Sequence, residues 1–140
     1  MKRIQSALLA LAGTLAIGNT VFAQVNSVAL KANIPFSFQA GLNMVQPGDY
    51  RIVRNGSLWR FSNVVTGEQK QVLISSEVEG KLTDRASLVF SCRADGSHCA
   101  LRQINAGAGN NGAYWPEPKH NTADGNETAR LVEIPANAAY

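Results

Sequence analysis

The sequence predicts an all-β fold, in which an antiparallel meander forms a small barrel or a sandwich, preceded by a helical signal peptide. Three observations support this. From residue 28 onward apolar residues recur at every second position, Asn-Gly and Asp-Gly pairs separate the alternating segments, and no helical period is sustained after residue 23. A period of two is typical of strands with one buried face, and such glycine pairs are typical of hairpin turns.

Residues 1–23 have the pattern of a secretory leader. Lys2 and Arg3 precede a short apolar run, and Val21 and Ala23 provide the side chains that a signal peptidase reads. We expect cleavage between Ala23 and Gln24. The apolar run is shorter than the roughly 20 residues that span a bilayer, so we expect an exported chain, periplasmic or secreted, with no membrane span.

Cleavage would leave residues 24–140, which is 117 of the 140 residues and the size of one domain. We expect a single β-domain with a loop-rich segment around residues 105–128, where glycine, asparagine, proline and polar residues dominate. Two of the 13 basic residues leave with the leader, so 11 basic side chains face 10 acidic ones. This balance predicts no nucleic-acid partner, which would require a clustered basic face.

The first strand is expected over residues 28–38, where alternate positions are apolar. Its inward-facing residues are Val28, Leu30, Ala32, Ile34, Phe36 and Phe38. Pro35 has no N–H for a strand ladder, so it marks an edge, a bulge or a break. Further strands are expected over residues 71–76, 86–93, 97–104 and 129–134, which makes about seven in total.

The clearest hairpin signal is Asn55-Gly56, which lies between two alternating segments. An Asn-Gly pair suits a two-residue turn, because both central positions then need a positive φ. The expected register pairs Tyr50 with Phe61, Ile52 with Trp59, Val53 with Leu58 and Arg51 with Arg60. The paired arginines are mildly unfavourable, so we expect that face to be wet or to contain carboxylates.

Both cysteines lie in the exported part of the chain, where oxidising conditions favour a disulfide. If Asp95-Gly96 closes a two-residue loop, residue 94 pairs with 97 and residue 93 with 98, so Cys92 lies opposite Cys99. The bond would add about 2.5 kcal/mol in the chain-entropy treatment. A metal site that includes His98 is the competing interpretation, but a fourth ligand is missing and His98 points away from Cys99. A redox pair is a further alternative, although redox motifs favour Cys-x-x-Cys spacing.

No nucleophile, metalloprotease or phosphate-binding motif is present in the sequence, so we expect no catalytic residue, no metal and no cofactor. The alternative is a secreted hydrolase that uses loop residues around 114–120, with His120 and Glu117 beside a nucleophile. Tyr114 and Trp115 are the candidate ligand contacts. They could form a lid or a sugar-stacking platform, or they could pack the loop against the end of the sheets.

A resemblance to known proteins is carried by two motifs, Asn33-Ile34-Pro35-Phe36-Ser37-Phe38 and Pro47-Gly48-Asp49-Tyr50. They resemble the N-[IV]-P-F-x-F and P-x-G-x-Y motifs of a family of exported bacterial proteins common in soil Acidobacteria. The resemblance covers the first two-thirds of the mature chain and stops near Ala106. It implies export and a small β-domain, and it implies no activity, because none is assigned to that family.

We therefore expect an exported, non-enzymatic β-domain that binds a small ligand or an envelope component. A carrier predicts an enclosed cavity lined by the 28–38 face. An interior filled by Phe36, Phe38, Trp59 and Phe90 would count against a carrier. An interaction module predicts an uncovered edge strand or an exposed apolar patch.

Overall fold

The computed structural model of the protein describes residues 28–117 and 129–139. Within them the chain forms twelve strands: β1 (Ala29–Ile34), β2 (Phe38–Ala40), β3 (Asn43–Val45), β4 (Gly48–Asn55), β5 (Leu58–Asn63), β6 (Gln69–Leu73), β7 (Ser76–Val78), β8 (Ser87–Cys92), β9 (Cys99–Asn105), β10 (Gly112–Tyr114), β11 (Arg130–Pro135) and β12 (Asn137–Ala138). The predicted leader, its cleavage site at Ala23 and Gln24, and residues 118–128 of the predicted 105–128 loop-rich segment lie outside the described residues.

The strands form two sheets. The first sheet has the order β12-β1-β4-β5-β6, and all its neighbours are antiparallel. The second has the order β11-β8-β9-β10-β7, and the β2–β3 hairpin joins it through a parallel pairing of β2 with β9. The predicted all-β class is confirmed, and of the two expected architectures the sandwich is the one observed. Within the described strands the meander is present as two separate runs, β4-β5-β6 in the first sheet and β8-β9-β10 in the second. β1 and β2 depart from it, because they also pair with β12 and β9, which are distant in sequence.

Pro35 breaks the predicted first strand, and the chain changes sheets there. Ile34 ends β1 in the first sheet, whereas Phe38 begins β2 in the second. Phe36 lies between them and packs its ring edge-on against Phe90, with 5.0 Å between ring centroids. The single alternating run therefore supplies apolar side chains to both layers of the sandwich.

The predicted register of the β4–β5 hairpin is wrong by two residues. Ile52 pairs with Phe61 and Tyr50 with Asn63, because the two-residue loop consists of Gly56-Ser57. Gly56 has φ +61°, whereas φ of Ser57 is not positive. A positive φ at the first loop residue alone is the pattern of a type II′ turn. The expected arginine pair is also absent, since Arg51 faces Ser62 and Arg60 faces Val53. A shift of two residues leaves each side chain on its predicted face.

The predicted disulfide between Cys92 and Cys99 is present, with Cα atoms 4.0 Å apart. The loop between the two cysteines differs from the expected two-residue loop. Arg93 pairs with Ser97 around a three-residue loop, as the bonds Arg93 N to Ser97 O (2.9 Å) and Gly96 N to Arg93 O (2.8 Å) show. His98 then adopts φ 51° as an extra, bulged residue, which brings the two cysteines back into register.

The core lies between the two sheets and is rich in aromatic side chains. Phe38 packs edge-to-face against Phe61 (5.7 Å between centroids) and Phe90 (4.9 Å). Trp59, Phe38, Phe61 and Phe90 are all fully buried. Edge-to-face ring pairs add about 0.5–1.5 kcal/mol each beyond the burial of their area. The contact between the sheets is therefore carried by the residues that the alternation places inward.

Candidate functional site

The interior is filled where a carrier would need a cavity. Of the four aromatic residues named as possible fillers, Phe38, Trp59 and Phe90 have no exposed surface and Phe36 packs against them. The concave regions lie outside the sandwich instead. One cleft of about 390 Å³ is lined by the 78–85 and 106–112 loops, and another of about 480 Å³ lies beside the β4–β5 turn. A binding site is therefore to be sought on the outer surface and along the strand edges.

Trp115 is buried and holds its loop against the sandwich. Its side chain is 8% exposed, its backbone N–H donates to the Arg102 carbonyl (2.8 Å), and its indole Nε1 donates to the Leu73 carbonyl (2.8 Å). The indole is thus part of the buried core cluster, and its single N–H is already bonded. Of the two predicted ligand contacts, Trp115 has the geometry of a structural residue.

Tyr114 lies half-buried on the outer face of the second sheet, next to Arg102. The guanidinium carbon of Arg102 lies 5.6 Å from the centre of the Tyr114 ring, and Arg102 Nη2 donates to the phenol oxygen (3.3 Å). Cation–π stacking of this kind is worth about 0.5–1 kcal/mol at partly exposed sites. One face of the ring is therefore already taken by a side chain of the protein.

The hydrolase alternative stays a prediction, because the histidine that it needs lies outside the described residues. Glu117 Oε1 accepts a hydrogen bond from Ser91 Oγ (3.2 Å), but His98 lies exposed in the hairpin bulge, and His120 lies outside the described residues. Within residues 28–117 and 129–139, no group of three metal-binding side chains comes together. The same residues contain no helix of the length and apolarity that crossing a bilayer requires.

The outer edge of β6 is capped by side chains. Ile74 N bonds to Ser57 O (2.8 Å), so along the antiparallel ladder the carbonyls of Gln71 and Leu73 face away from β5. Asn43 Nδ2 donates to the Gln71 carbonyl (2.8 Å), and the Trp115 indole takes the Leu73 carbonyl. Two of the acceptors that an incoming strand would use are therefore occupied.

The outer edge of β11 has no such caps. Ala136 N bonds to Ala86 O (3.0 Å), so the same alternation turns the N–H and C=O groups of Leu131 and Glu133 away from β8. Within the described part of the chain β8 is the strand that pairs with β11, and no side chain is bonded to these outward groups. The Leu131 side chain is 68% exposed. Pro135, which has no N–H, ends the edge.

The other edges are short. β12 has two residues, and β3 and β7 have three each. β7 is also tied to the first sheet, because Arg54 Nη2 lies 2.6 Å from Glu77 Oε1 and Arg54 Nη1 donates to the Asn111 carbonyl (3.4 Å). The hydrogen bond and the charge of Arg54 lower the pKa of Glu77 below its usual value. The six-residue β11 is thus the longest uncapped edge among the described strands.

Comparison with known proteins adds no further identification, because no family model, no curated protein and no solved structure matches the chain. The family resemblance of the two motifs therefore stays a prediction.

The sequence predicted a strand near β11 but not that it would be an edge. The sequence alternation in Arg130–Pro135 is weak, because two apolar residues, Leu131 and Val132, are adjacent. In the structure Val132 and Ile134 are partly buried, whereas Leu131 and Glu133 are exposed. A terminal proline was the available sign, since proline in sheets is confined to edge strands, strand ends and bulges. The capping roles of Asn43 and Trp115 left no sign in the pattern.

Proposed function

We propose that the protein is an exported, non-enzymatic interaction module that binds an extended segment of another protein at the open edge of β11. The observation that carries this proposal is the pair of outward-facing peptide groups at Leu131 and Glu133, which form no hydrogen bond within the described residues. Export is supported by the secretory pattern of residues 1–23 and by the disulfide, which forms in oxidising compartments.

The chemistry of the edge defines the segment it fits. Leu131 and Glu133 each offer one donor and one acceptor. In strand addition such main-chain bonds supply affinity, while the side chains opposite supply specificity. The incoming segment would place an apolar side chain opposite Leu131 and a basic one opposite Glu133. A filled interior also supports recognition at the surface over transport of an enclosed ligand.

The test uses Glu133→Pro and Glu133→Ala in the purified mature protein. Proline removes the outward N–H and leaves the ladder to β8 intact, whereas alanine removes the side chain and keeps the N–H. Each protein is immobilised and exposed to a detergent extract of the native envelope. We expect proteins that the wild type retains to be retained by Glu133→Ala at a reduced level and lost with Glu133→Pro.

Circular dichroism and the urea midpoint check that both variants fold. If Glu133→Pro does not fold, Leu131→Pro replaces it, because it removes the other outward N–H of the edge. Retention that is unchanged in a folded proline variant would contradict the proposal. A wild-type protein that dimerises in light scattering, with a monomeric proline variant, would assign the edge to a second copy and also contradict it. Slow amide exchange at Leu131 and Glu133 in the isolated protein would mean that the edge is already covered.

A further inference from the structure

A polar cleft of about 390 Å³ lies on the outer face of the second sheet. Its floor is formed by Gln103 and Asn105 of β9, and one wall includes Glu133 of β11. The 78–85 and 106–112 loops form the rims. The volume is at the lower end of the range of small-molecule sites, about 300–1,000 Å³.

The two rims are bonded to each other, so the cleft is preformed. Ala108 N donates to the Asp84 carbonyl (3.1 Å) and Gly109 N to the Lys81 carbonyl (3.0 Å). Lys81 N also donates to Asp84 Oδ2 (2.7 Å), which closes the turn of the first rim. A Cβ at Gly80 would overlap the Asn110 carbonyl, so the loops approach as closely as glycine permits. Ordering of these loops would cost little on binding.

The floor presents oriented amide groups. Gln103 Nε2 donates to Asn105 Oδ1 (2.5 Å), and Asn105 Nδ2 donates to Ser87 Oγ (2.8 Å). Gln103 and Asn105 are half-buried and Ser87 is buried, so this chain of bonds fixes the two amides. Each amide carries both donors and acceptors beyond those used in the chain. A hydroxyl group, which is itself both donor and acceptor, matches such a surface.

The charges around the cleft favour neither sign strongly. Its acidic side chains are Glu79, Asp84 and Glu133, and its basic ones are Lys81 and Arg85. An anion or a cation would meet like charges on one side of the cleft. A neutral ligand with several hydroxyls avoids this repulsion and can bond to both kinds of group.

We propose that this cleft binds a neutral saccharide. The cleft is separate from the outward backbone groups of β11, and the saccharide site stands whether or not a strand adds there. Sugar hydroxyls would bond to the Gln103 and Asn105 amides and to the Glu79 carboxylate. A shallow site without an aromatic floor predicts weak affinity, with Kd on the order of 1 mM.

The test is an NMR titration of the labelled mature protein with four neutral disaccharides: cellobiose, maltose, lactose and N,N′-diacetylchitobiose. We expect at least one to shift amide signals of Gln103, Asn105 and the two rims. Gln103→Leu should raise Kd about tenfold, as loss of the hydrogen bonds of one side chain predicts. Gln69→Leu, on exposed β6, is the matched control and should leave Kd unchanged.

Glu79→Gln keeps an acceptor and removes a charge, so it should change Kd by less than about threefold, well below the effect of a lost hydrogen bond. Several outcomes would overturn the proposal. They are no shift with any of the four sugars at about ten times the expected Kd, shifts centred away from the cleft, and a Gln103→Leu variant that folds and binds as the wild type does.

Discussion

Two edge strands of this sandwich, β6 and β11, differ in whether their outward backbone groups are hydrogen-bonded. β6 closes one side of the first sheet, and its outward carbonyls at Gln71 and Leu73 are bonded to Asn43 and Trp115. β11 closes one side of the second sheet, and its outward groups at Leu131 and Glu133 are bonded to nothing within the described residues. Both strands have five or six residues, so length does not explain the difference.

The comparison separates protection by neighbours from protection by the strand itself. At β6 the caps come from residues 28 and 42 positions away in the sequence, so the fold protects the edge. At β11 the strand carries its own moderate deterrents, a charge at Glu133 and a proline at its end. Those deterrents limit indiscriminate pairing but leave the outward N–H and C=O groups of two residues for a matching segment.

The largest expected effect comes from removing the aromatic cap of β6. Trp115→Ala should lower the free energy of unfolding by about 3–5 kcal/mol, because it empties a buried aromatic position and frees the Leu73 carbonyl. Trp115→Phe keeps most of the packing and should cost about 1 kcal/mol for the lost indole bond. Urea unfolding of both variants measures the difference. Equal losses would assign the whole effect to the indole hydrogen bond, whereas an unchanged stability in Trp115→Phe would mean that packing is the only contribution.

The disulfide supports the far end of the open edge, because Cys92 is the partner of Arg130 in β11. Reduction should lower the free energy of unfolding by about 2.5 kcal/mol, the loop-closure value for this short loop. Urea unfolding with and without a phosphine reductant measures the loss. The control is the double variant Cys92→Ala/Cys99→Ala, whose stability should be the same in both conditions. Thiol titration of the denatured, unreduced protein should find no free thiol. Two free thiols would contradict the pairing.

The period of two predicted which residues are buried but not which strands meet. Ile52, Trp59 and Phe61 lie on the predicted face and are fully buried. The register failed because Asn55-Gly56 and Gly56-Ser57 both satisfy turn chemistry, and moving the turn by one residue changes each partner by two while keeping every face. Alternation cannot distinguish two such registers.

The candidate site was less accessible to sequence reasoning because it depends on topology. The sequence left Trp115 as either a ligand contact or a residue that packs its loop against the sheets. The choice between the two follows from the position of Leu73, which is distant in sequence. The opening at β11 follows from which strand lies beside it, and the cleft follows from two loops meeting at Gly80 and Asn110. No local pattern records these contacts.

A smaller effect is expected from the polar cap of β6. Asn43→Ala should lower the free energy of unfolding by about 1 kcal/mol, since one hydrogen bond to the Gln71 carbonyl is lost. Asn43→Asp should cost more at neutral pH, because a carboxylate cannot donate and repels the carbonyl oxygen. Its deficit should approach that of alanine once acid protonates the carboxyl group. Chemical denaturation at two pH values measures both changes, and an unchanged midpoint in Asn43→Ala would remove Asn43 from the capping argument.

The smallest effect concerns the ion pair that links β4 to β7. β7 is the edge of the second sheet opposite β11, so this pair contacts neither of the two compared strands. Arg54 lowers the pKa of Glu77, so the folded state holds this carboxyl as an anion more firmly than the unfolded chain does. The resulting stability is complete above the usual pKa of 4.5 and is lost as the pH falls through the lower folded value. Glu77→Gln should therefore be slightly less stable than the wild type at neutral pH, and the two should converge in acid. Because the pair is exposed, added salt should narrow the difference, whereas a gap that persists in acid would assign the loss to packing and not to charge.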